Sequence, residues 1–466
     1  MANDQAKFVE GNLFRHITTM SLTASIGLMA IFAVDLVDMI FISMLGKAEL
    51  AAAVGYAGAI LFFTSSFGIG MSIAAGALVA RALGAGDVEM ASRRAATSML
   101  YGVVFSAIFA AIVWINTEPL ARLLGAEGDT LDLAVHYLSI IIPSLPFLLV
   151  AMVGGAILRA HGAARMAMIA TLVGGVVNAV LDPILIFGLN LELTGAAIAS
   201  VIARISIAIT ALIPIYRHYG GLQKPTAVEF RVDFPTIMAI AFPAILTQLA
   251  TPIGQAYVTR SMAEYGESAV AGMAIVGRLT PVAFGIIFAL SGAIGPIIGQ
   301  NYGAGRIDRV RQSVRDGLVF TAIVVGVMSA ILFFARGPIL TLFQADGITA
   351  EIVILFCGPL ALAWFFNGVI FVSNAAFNNL GRPFYSTWIN WGRHTLGTIP
   401  FVILGGIWFG AKGVLIGQAF GGLVFAAVAL ILARRVIAAC ADDETRETAR
   451  PFQRQARLMQ IFNYRR

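Results

Sequence analysis

Charge is what this sequence has least of. Asp, Glu, Lys and Arg make up 12% of its 466 residues, about half the share of a soluble globular chain, which excludes a globule with a fully solvated surface. Cysteine is nearly absent as well. Cys357 and Cys440 are too few and too far apart for a disulfide framework; Cys357 reads as a small core residue and Cys440 as part of a tail in a reducing compartment. The five histidines are scattered without metal-ligand spacing, and His161, close to Arg159 and Arg165, reads as a solvated loop residue. There is no phosphate-binding glycine loop and no nucleophile–base constellation, so neither an enzyme nor a resident cofactor or metal is expected. Alternating strands of about 10 residues, the mark of a membrane β-barrel, are missing. A cleavable signal peptide is not expected either, because the first fifteen residues are polar and the apolar run after them is too long.

Apolar runs fill the space that charge leaves. Hydrophobic residues are 59% of the chain and mean hydropathy is +0.87. Each run is near the ~20 residues a helix needs to cross the hydrocarbon core. Twelve spans are predicted: 18–45, 52–80, 95–116, 133–157, 166–188, 193–216, 235–259, 268–298, 316–335, 349–375, 384–408 and 413–433. The expected fold class is an all-α membrane protein. Several spans exceed 25 residues, so tilt or kinks are expected. With the N-terminus in the cytoplasm, cytoplasmic segments hold 23 of the 31 Lys and Arg, outer loops hold five and spans hold three. By the positive-inside rule both termini are cytoplasmic, and the expected location is a bacterial inner membrane. The net charge of +6 then reflects topology; the expected partner is the lipid bilayer, not nucleic acid, and the chain is expected to act as a monomer.

The sequence repeats itself. Gly84-Ala85-Gly86 recurs 219 residues later as Gly303-Ala304-Gly305, and at the same offset Ser72 matches Ser291, Gly76 matches Gly295 and Gly162 matches Gly381. One offset at several places points to duplication of a six-helix unit. An even number of spans leaves both units in one orientation, related by a pseudo-two-fold axis along the membrane normal, with substrate between them. The expected division is an N-terminal lobe at 1–216, a cytoplasmic linker at 217–234, a C-terminal lobe at 235–437 and a tail at 438–466. Phe452, Leu458, Ile461 and Phe462 in the tail fit either an amphipathic helix on the inner leaflet or a disordered segment.

Acids inside a bilayer cost roughly 2.5–3.5 kcal/mol each on insertion scales, and three stand well inside spans: Asp35 and Asp38 in the first and Asp182 in the fifth. Asp35 and Asp38 are three apart, Asn178 and Asp182 four apart, so each pair shares a helix face. Asp38, Asp182 and Ser200 of the sixth span fall at one depth, in the outer part of the N-terminal half. At the repeat offset Asp182 becomes Phe401 and Asn178 becomes Gly397, so the C-terminal half has no equivalent. A cation site is one reading; a polar network that pins helix packing is the other. Carboxylates withdrawn from water beside one another are natural proton carriers, and the same oxygens, with Asn178 and Ser200, suit Na⁺. Two or three carboxylates around one monovalent ion are an excess of charge, which favours proton sharing. Arg204, one turn deeper than Ser200, reads as a counter-ion to these acids or as an interhelical structural arginine, and Arg278 and Arg393 read as structural. In the C-terminal half Gln248, Gln255, Asn367 and Asn374 are candidates to line a substrate cleft, where aromatic and amide groups suit an apolar cation.

Three stretches carry a resemblance to the multidrug and toxic compound extrusion (MATE) family. They are Asp38-Met39-Ile40-Phe41-Ile42-Ser43-Met44-Leu45-Gly46, Asn178-Ala179-Val180-Leu181-Asp182-Pro183 and Gly195-Ala196-Ala197-Ile198-Ala199-Ser200. The resemblance covers nearly the whole chain. It implies two six-helix lobes around a central cleft, and efflux of amphipathic, often cationic drugs in exchange for H⁺ or Na⁺. It implies the cation-site role for Asp38, Asn178 and Asp182, a hydroxyl ligand at Ser200, and a second protonatable group tied to bending of the first helix at Asp35. One branch of the family places acids in the seventh and tenth helices; this chain has none there, which points to coupling through the N-terminal lobe. A lipid-linked oligosaccharide flippase shares the architecture, but its cleft would need several basic residues for pyrophosphate, and only Arg204, Arg278 and Arg393 lie within the predicted spans.

Overall fold

The computed structural model of the chain describes residues 6–45 and 47–463, the side chains of Ser43, Ala48 and everything beyond Ala441 excepted. The described residues form helices and connecting turns without strands. Ten apolar helices follow one another: α1 (Leu13–Met44), α2 (Ala48–Gly84), α3 (Val88–Ile115), α4 (Gly128–Ala160), α5 (Ala164–Gly188), α6 (Glu192–His218), α7 (Ala227–Ala263), α8 (Glu267–Gly303), α9 (Ile307–Leu342) and α10 (Gly347–Asn379). An eleventh run, Phe384–Ala441, is 58 residues long. It reverses at Gly410, whose φ of 61° and ψ of −143° are open to glycine alone, and so holds two crossings, α11 (384–409) and α12 (411–441). Twelve crossings result. The last helix continues through Asn463, whereas the side chains that would show an amphipathic face in the tail lie outside the described residues, as does Gly46.

Small residues set the packing, as expected where lipid removes any hydrophobic drive between helices. Gly413, Gly417 and Gly421 recur every four residues along one face of α12. A Cβ at any of them would run into the backbone of Gly405, Phe401 or Gly397 on α11, so the two helices close into a hairpin with touching backbones. Where helices break, proline or glycine is at the break. A 3₁₀ turn at Ile142–Ser144 contains Pro143, a π turn at Ile184–Gly188 follows Pro183, and a π turn at Phe356–Leu360 contains Gly358 and Pro359. Cys357 is buried.

Two bundles result, α1–α6 and α7–α12. They meet where α1 packs on α8, α2 on α7 and α2 on α8. A shift of 219 residues turns the first contact into the second and maps the third onto itself, which is the signature of an isologous, pseudo-two-fold interface. Atomic detail repeats in the same way. A Cβ on Gly84 would overlap the backbone of Gln300, and one on Gly303, its repeat mate, would overlap Arg81, the mate of Gln300. Arg81 donates to the carbonyl oxygens of Asn378 (2.8 Å) and Asn379 (2.7 Å), and Gln300 donates to that of Ala160 (2.8 Å), the mate of Asn379.

These contacts lie on the face where α1 begins, here the terminal face. More join them there. Phe8 is fully buried, its N–H donates to Gln300 Oε1 (2.8 Å), and Asn301 and Arg309 donate to its carbonyl. The first turns of α7 are bolted to α3: fully buried Asp233 accepts from Thr97 and faces Arg93 (3.5 Å) and Arg94 (3.2 Å), and Tyr101 stacks on Phe230 at 4.0 Å. Asp233 sits two residues ahead of the predicted seventh span, where an acid signals nothing unusual, and its role was not legible. Toward the opposite face the bundles part. The outer half of α1 follows α5, through Val34 on Gly175 and Phe41 on Phe187, while α8 follows α10, through Gly272 on Ile352. A cleft therefore opens to the opposite face above a closed terminal face.

Candidate functional site

The site grows from a close approach of α1 and α5. At Gly27 a Cβ would stand 3.4 Å from Thr171 and 3.5 Å from Met168, and at Gly175 one would stand 3.3 Å from Val34. With no side chains at these two positions the helices come together, and the next turn outward brings Asp38 against the face of α5 that carries Asn178 and Asp182. Gly27 serves this contact, within a helix that runs unbroken from Leu13 to Met44.

Asn178 bridges the two acids. Its Nδ2 donates to Asp38 Oδ1 at 2.9 Å and to Asp182 Oδ2 at 2.8 Å, using both amide protons. Asp182 is 0% exposed and Asn178 4%, while Asp38 is half-buried and the Asp38 and Asp182 carboxyls reach each other directly. Asp182 Oδ1 is buried without a hydrogen-bond partner. A buried acceptor left without a donor costs on the order of 1–3 kcal/mol, more when charged. One proton shared between the carboxyls supplies the missing donor, because a protonated carboxyl can donate where a carboxylate can only accept.

The other predicted residues divide. Asp35 is exposed and forms no hydrogen bond, standing in electrostatic range of Asp38 without joining its network. Ser200 is half-buried and lies against Tyr137, not against the acids. Arg204 forms no ion pair with Asp35, Asp38 or Asp182. Its Nη1 donates to Ser144 Oγ (2.8 Å) and the Ile141 carbonyl (3.4 Å), so it satisfies groups freed at the break in α4, and the structural reading of Arg204 is the one observed. Arg393 donates to Asn367 Oδ1 at 2.7 Å, which occupies that cleft candidate. Gln255 is exposed and accepts from Gln418 at 3.4 Å; Gln248 and Asn374 are half-buried, with Asn374 Oδ1 buried and unpartnered. Arg278 is exposed.

Tyr137 was not found from the sequence. It is 8% exposed and in range of Arg204, Asp38 and Asp182 as well as Ser200; a tyrosine in an apolar run carries no signal until the run's partners are known. The solvated reading of His161 is corrected. The ring is buried, stacked on Tyr219 with centroids 4.4 Å apart, and burial pushes its pKa down to about 4. Nothing in its own stretch of sequence shows that Tyr219, after α6, folds back over it.

The family described as MatE matches this chain over residues 24–184 and again over 243–404. The two matches begin 219 residues apart, the offset of the internal repeat. An FAD transporter of Shewanella oneidensis is 30% identical over 440 residues, covering 93% of this chain and 97% of that one. The multidrug export protein MepA of Staphylococcus haemolyticus is 26% identical over 414 residues, covering 88% and 90%. Among solved structures, the Vibrio cholerae MATE transporter VcmN superposes with a TM-score of 0.87 at 25% identity, covering 92% of this chain and 97% of that one.

Proposed function

Since this chain belongs to the MatE family of membrane transporters, we propose that it is a secondary exporter that exchanges amphipathic, often cationic drugs for H⁺ at the Asp38–Asn178–Asp182 site. The observation that carries the ion is the pair of acids bridged by one amide, with a buried carboxylate oxygen that lacks a donor. Multidrug export by the MepA relative supports the substrate class. The excess of Lys and Arg on the terminal face supports placing that face, with both termini, in the cytoplasm of a bacterial inner membrane. The structure is then outward-open, with its cleft in contact with the external medium.

In this state protons enter from outside. With both acids charged, Asn178 holds α1 and α5 together through two bonds while the carboxylates repel. A proton on one lets it donate to the other, the repulsion disappears, and the contact between α1 and α5 rearranges. Asp35, exposed one turn earlier, acts as the relay from the external water. Movement of α1 then collapses the cleft and drug is expelled outward. The driving force is about 2.3 kcal/mol per charge per 100 mV, with any pH gradient added.

A second reading has one observation in its favour. The Shewanella oneidensis relative is an FAD transporter, so a phosphate-bearing dinucleotide is the alternative cargo of the same machine.

The test is dye efflux into inside-out vesicles under an imposed pH gradient or an imposed Na⁺ gradient, for wild type, Asp38→Asn and Asp182→Asn. Transport driven by the pH gradient and lost in both variants is expected. Transport driven only by Na⁺ refutes the proton reading, and normal efflux by the variants refutes the site.

A further inference from the structure

Arg159 stands at the end of a span and points away from the interface. It lies in the last turn of α4, on the terminal face, where a long cationic side chain ordinarily reaches toward the interface. Instead its guanidinium folds back along its own helix into the membrane. Nη1 is 3.3 Å from where a Cβ on Gly155 would be, and Nε is 3.9 Å from where one on Gly292 of α8 would be. Two glycines, one from each lobe, leave the slot in which it lies.

That slot is the bottom of the cleft. On α8, Ser291 and Gly292 are exposed, and the eight residues after them, Ala293 to Gln300, are all buried. Gly292 is eleven residues above the Gly303 crossing, roughly 16 Å along the helix. The guanidinium therefore stands at the floor of the open space, above the closed terminal face. Among the described residues it has no hydrogen-bond partner and no carboxylate in electrostatic range, and the residue is half-buried. Arg81, Arg204 and Arg393 all spend their donors on carbonyls, a hydroxyl or an amide; Arg159 spends none. Its repeat mate is Asn378, so the charge belongs to one lobe only.

We propose that Arg159 is an anion-binding residue of the cargo site, and that it receives a phosphate group of the substrate at the cleft floor. A guanidinium offers a fork of donors that matches phosphate oxygens, and a position without a counter-charge leaves that fork for the cargo. This rests on the second reading above, in which the cargo is a phosphate-bearing dinucleotide, and it names the group that reads the phosphate. The aromatic end of such a cargo extends outward along the apolar walls of the cleft.

The full chain in nanodiscs of phosphatidylcholine tests this with two probes, FAD and riboflavin, which share a ring system; FAD alone carries the two phosphates, together with an adenosine. Dissociation constants are measured by flavin fluorescence for wild type, Arg159→Gln and Arg159→Lys, with thermal unfolding midpoints to show that each variant is folded. Wild type is expected to prefer FAD over riboflavin by tenfold or more. Arg159→Gln is expected to weaken FAD by about tenfold to a hundredfold, the range of a charge-assisted hydrogen bond, and to erase the preference, with Arg159→Lys in between. An FAD constant unchanged in folded Arg159→Gln overturns the proposal while leaving FAD as cargo. Wild type that binds neither flavin overturns both. Repeating the measurement with phosphatidylglycerol separates the sources of phosphate: competition with FAD that depends on Arg159 would assign the residue to a lipid headgroup and overturn its role in cargo binding.

Discussion

The crossing of α2 and α8 makes a prediction in which symmetry is itself the control. A Cβ on Gly84 would sit 2.7 Å from Gln300 Cα, and one on Gly303 would sit 3.0 Å from Arg81 Cα, with closer overlap on the carbonyls beyond. Ordinary contact begins at 3.4 Å, so Gly84→Ala or Gly303→Ala must part the helices by about 1 Å. Overpacking of this kind costs about 1–3 kcal/mol. The same parting stretches the bonds from Arg81 to Asn378 and Asn379 and from Gln300 to Ala160. The cost falls only on the state in which the terminal face is closed, so the balance moves toward the state open on that face, by about fivefold to a hundredfold or more. Because the two glycines are repeat mates at one crossing, each substitution should have nearly the same effect. The double variant should add less than the sum, since the first alanine has already moved the helices apart. Spin labels on cysteines at Glu89 and Asp308, exposed repeat mates at the starts of α3 and α9, report the separation by double electron–electron resonance. A longer-distance population is expected in both single variants. Distances unchanged from wild type in either one, or effects that differ by more than tenfold, would refute the reasoning.

Two further outcomes follow from the site and its surroundings. Asn178→Ala removes the donor shared by Asp38 and Asp182 and leaves buried carboxylate oxygens without partners; a loss of about 1–3 kcal/mol is expected together with loss of pH-driven efflux, and a thermal midpoint and efflux equal to wild type would contradict the bridge. His161 is held neutral, at about 4 against an ordinary 6.5, so the opened loop binds more protons than the packed one between these values. The packing of His161 on Tyr219 is therefore unaffected above about pH 6.5 and weakens as pH falls, by about 2 kcal/mol at pH 5; hydrogen exchange of residues 159–165 should quicken over that range in wild type and stay level in His161→Phe.

Much of the fold was legible because the bilayer writes its constraint directly into composition. Each crossing must be one apolar run, and all twelve predicted spans coincide with a helix. Their ends were less legible: α7 begins at Ala227, eight residues before the predicted span, because Thr226 and Glu229 form a capping box in polar surroundings that hydropathy ignores. The duplication was legible as an offset, but its use was not. Gly84 and Gly303 fall just beyond the predicted second and eighth spans, and only the structure shows them on the axis with their backbones in contact with the other lobe. The acids were legible because an Asp inside a span is rare, and the i, i+4 spacing of Asn178 and Asp182 set their common face. Arg204 was left between two readings, and Arg159 was passed over, for one reason. The direction in which a long side chain runs from its helix depends on which neighbours leave room, here Ser144 for one and Gly155 with Gly292 for the other, and spacing along the chain does not encode it.

The two halves keep the repeat where the lobes meet and abandon it where the ion would bind. The mates of Asn178 and Asp182 are Gly397 and Phe401, and both lie in the seam where Gly421 and Gly417 of α12 press backbone on backbone. A side chain the size of Asn at 397 would separate that hairpin, so the C-terminal lobe has exchanged a polar pair for a rigid contact. The consequence is a division of labour. Closure of the terminal face depends equally on both lobes, through Gly84 with Gln300 and Gly303 with Arg81. In the proposed mechanism the ion acts through α1 and α5, whose Asp38 and Asp182 are bridged by Asn178. A proton bound there would act on the closed crossing through α1, and Phe8, in the segment that leads into α1, is itself held between the lobes by Gln300. The helix that carries Asp38 at its outer end thus also carries, at its inner end, a contact that must break when the cleft turns inward.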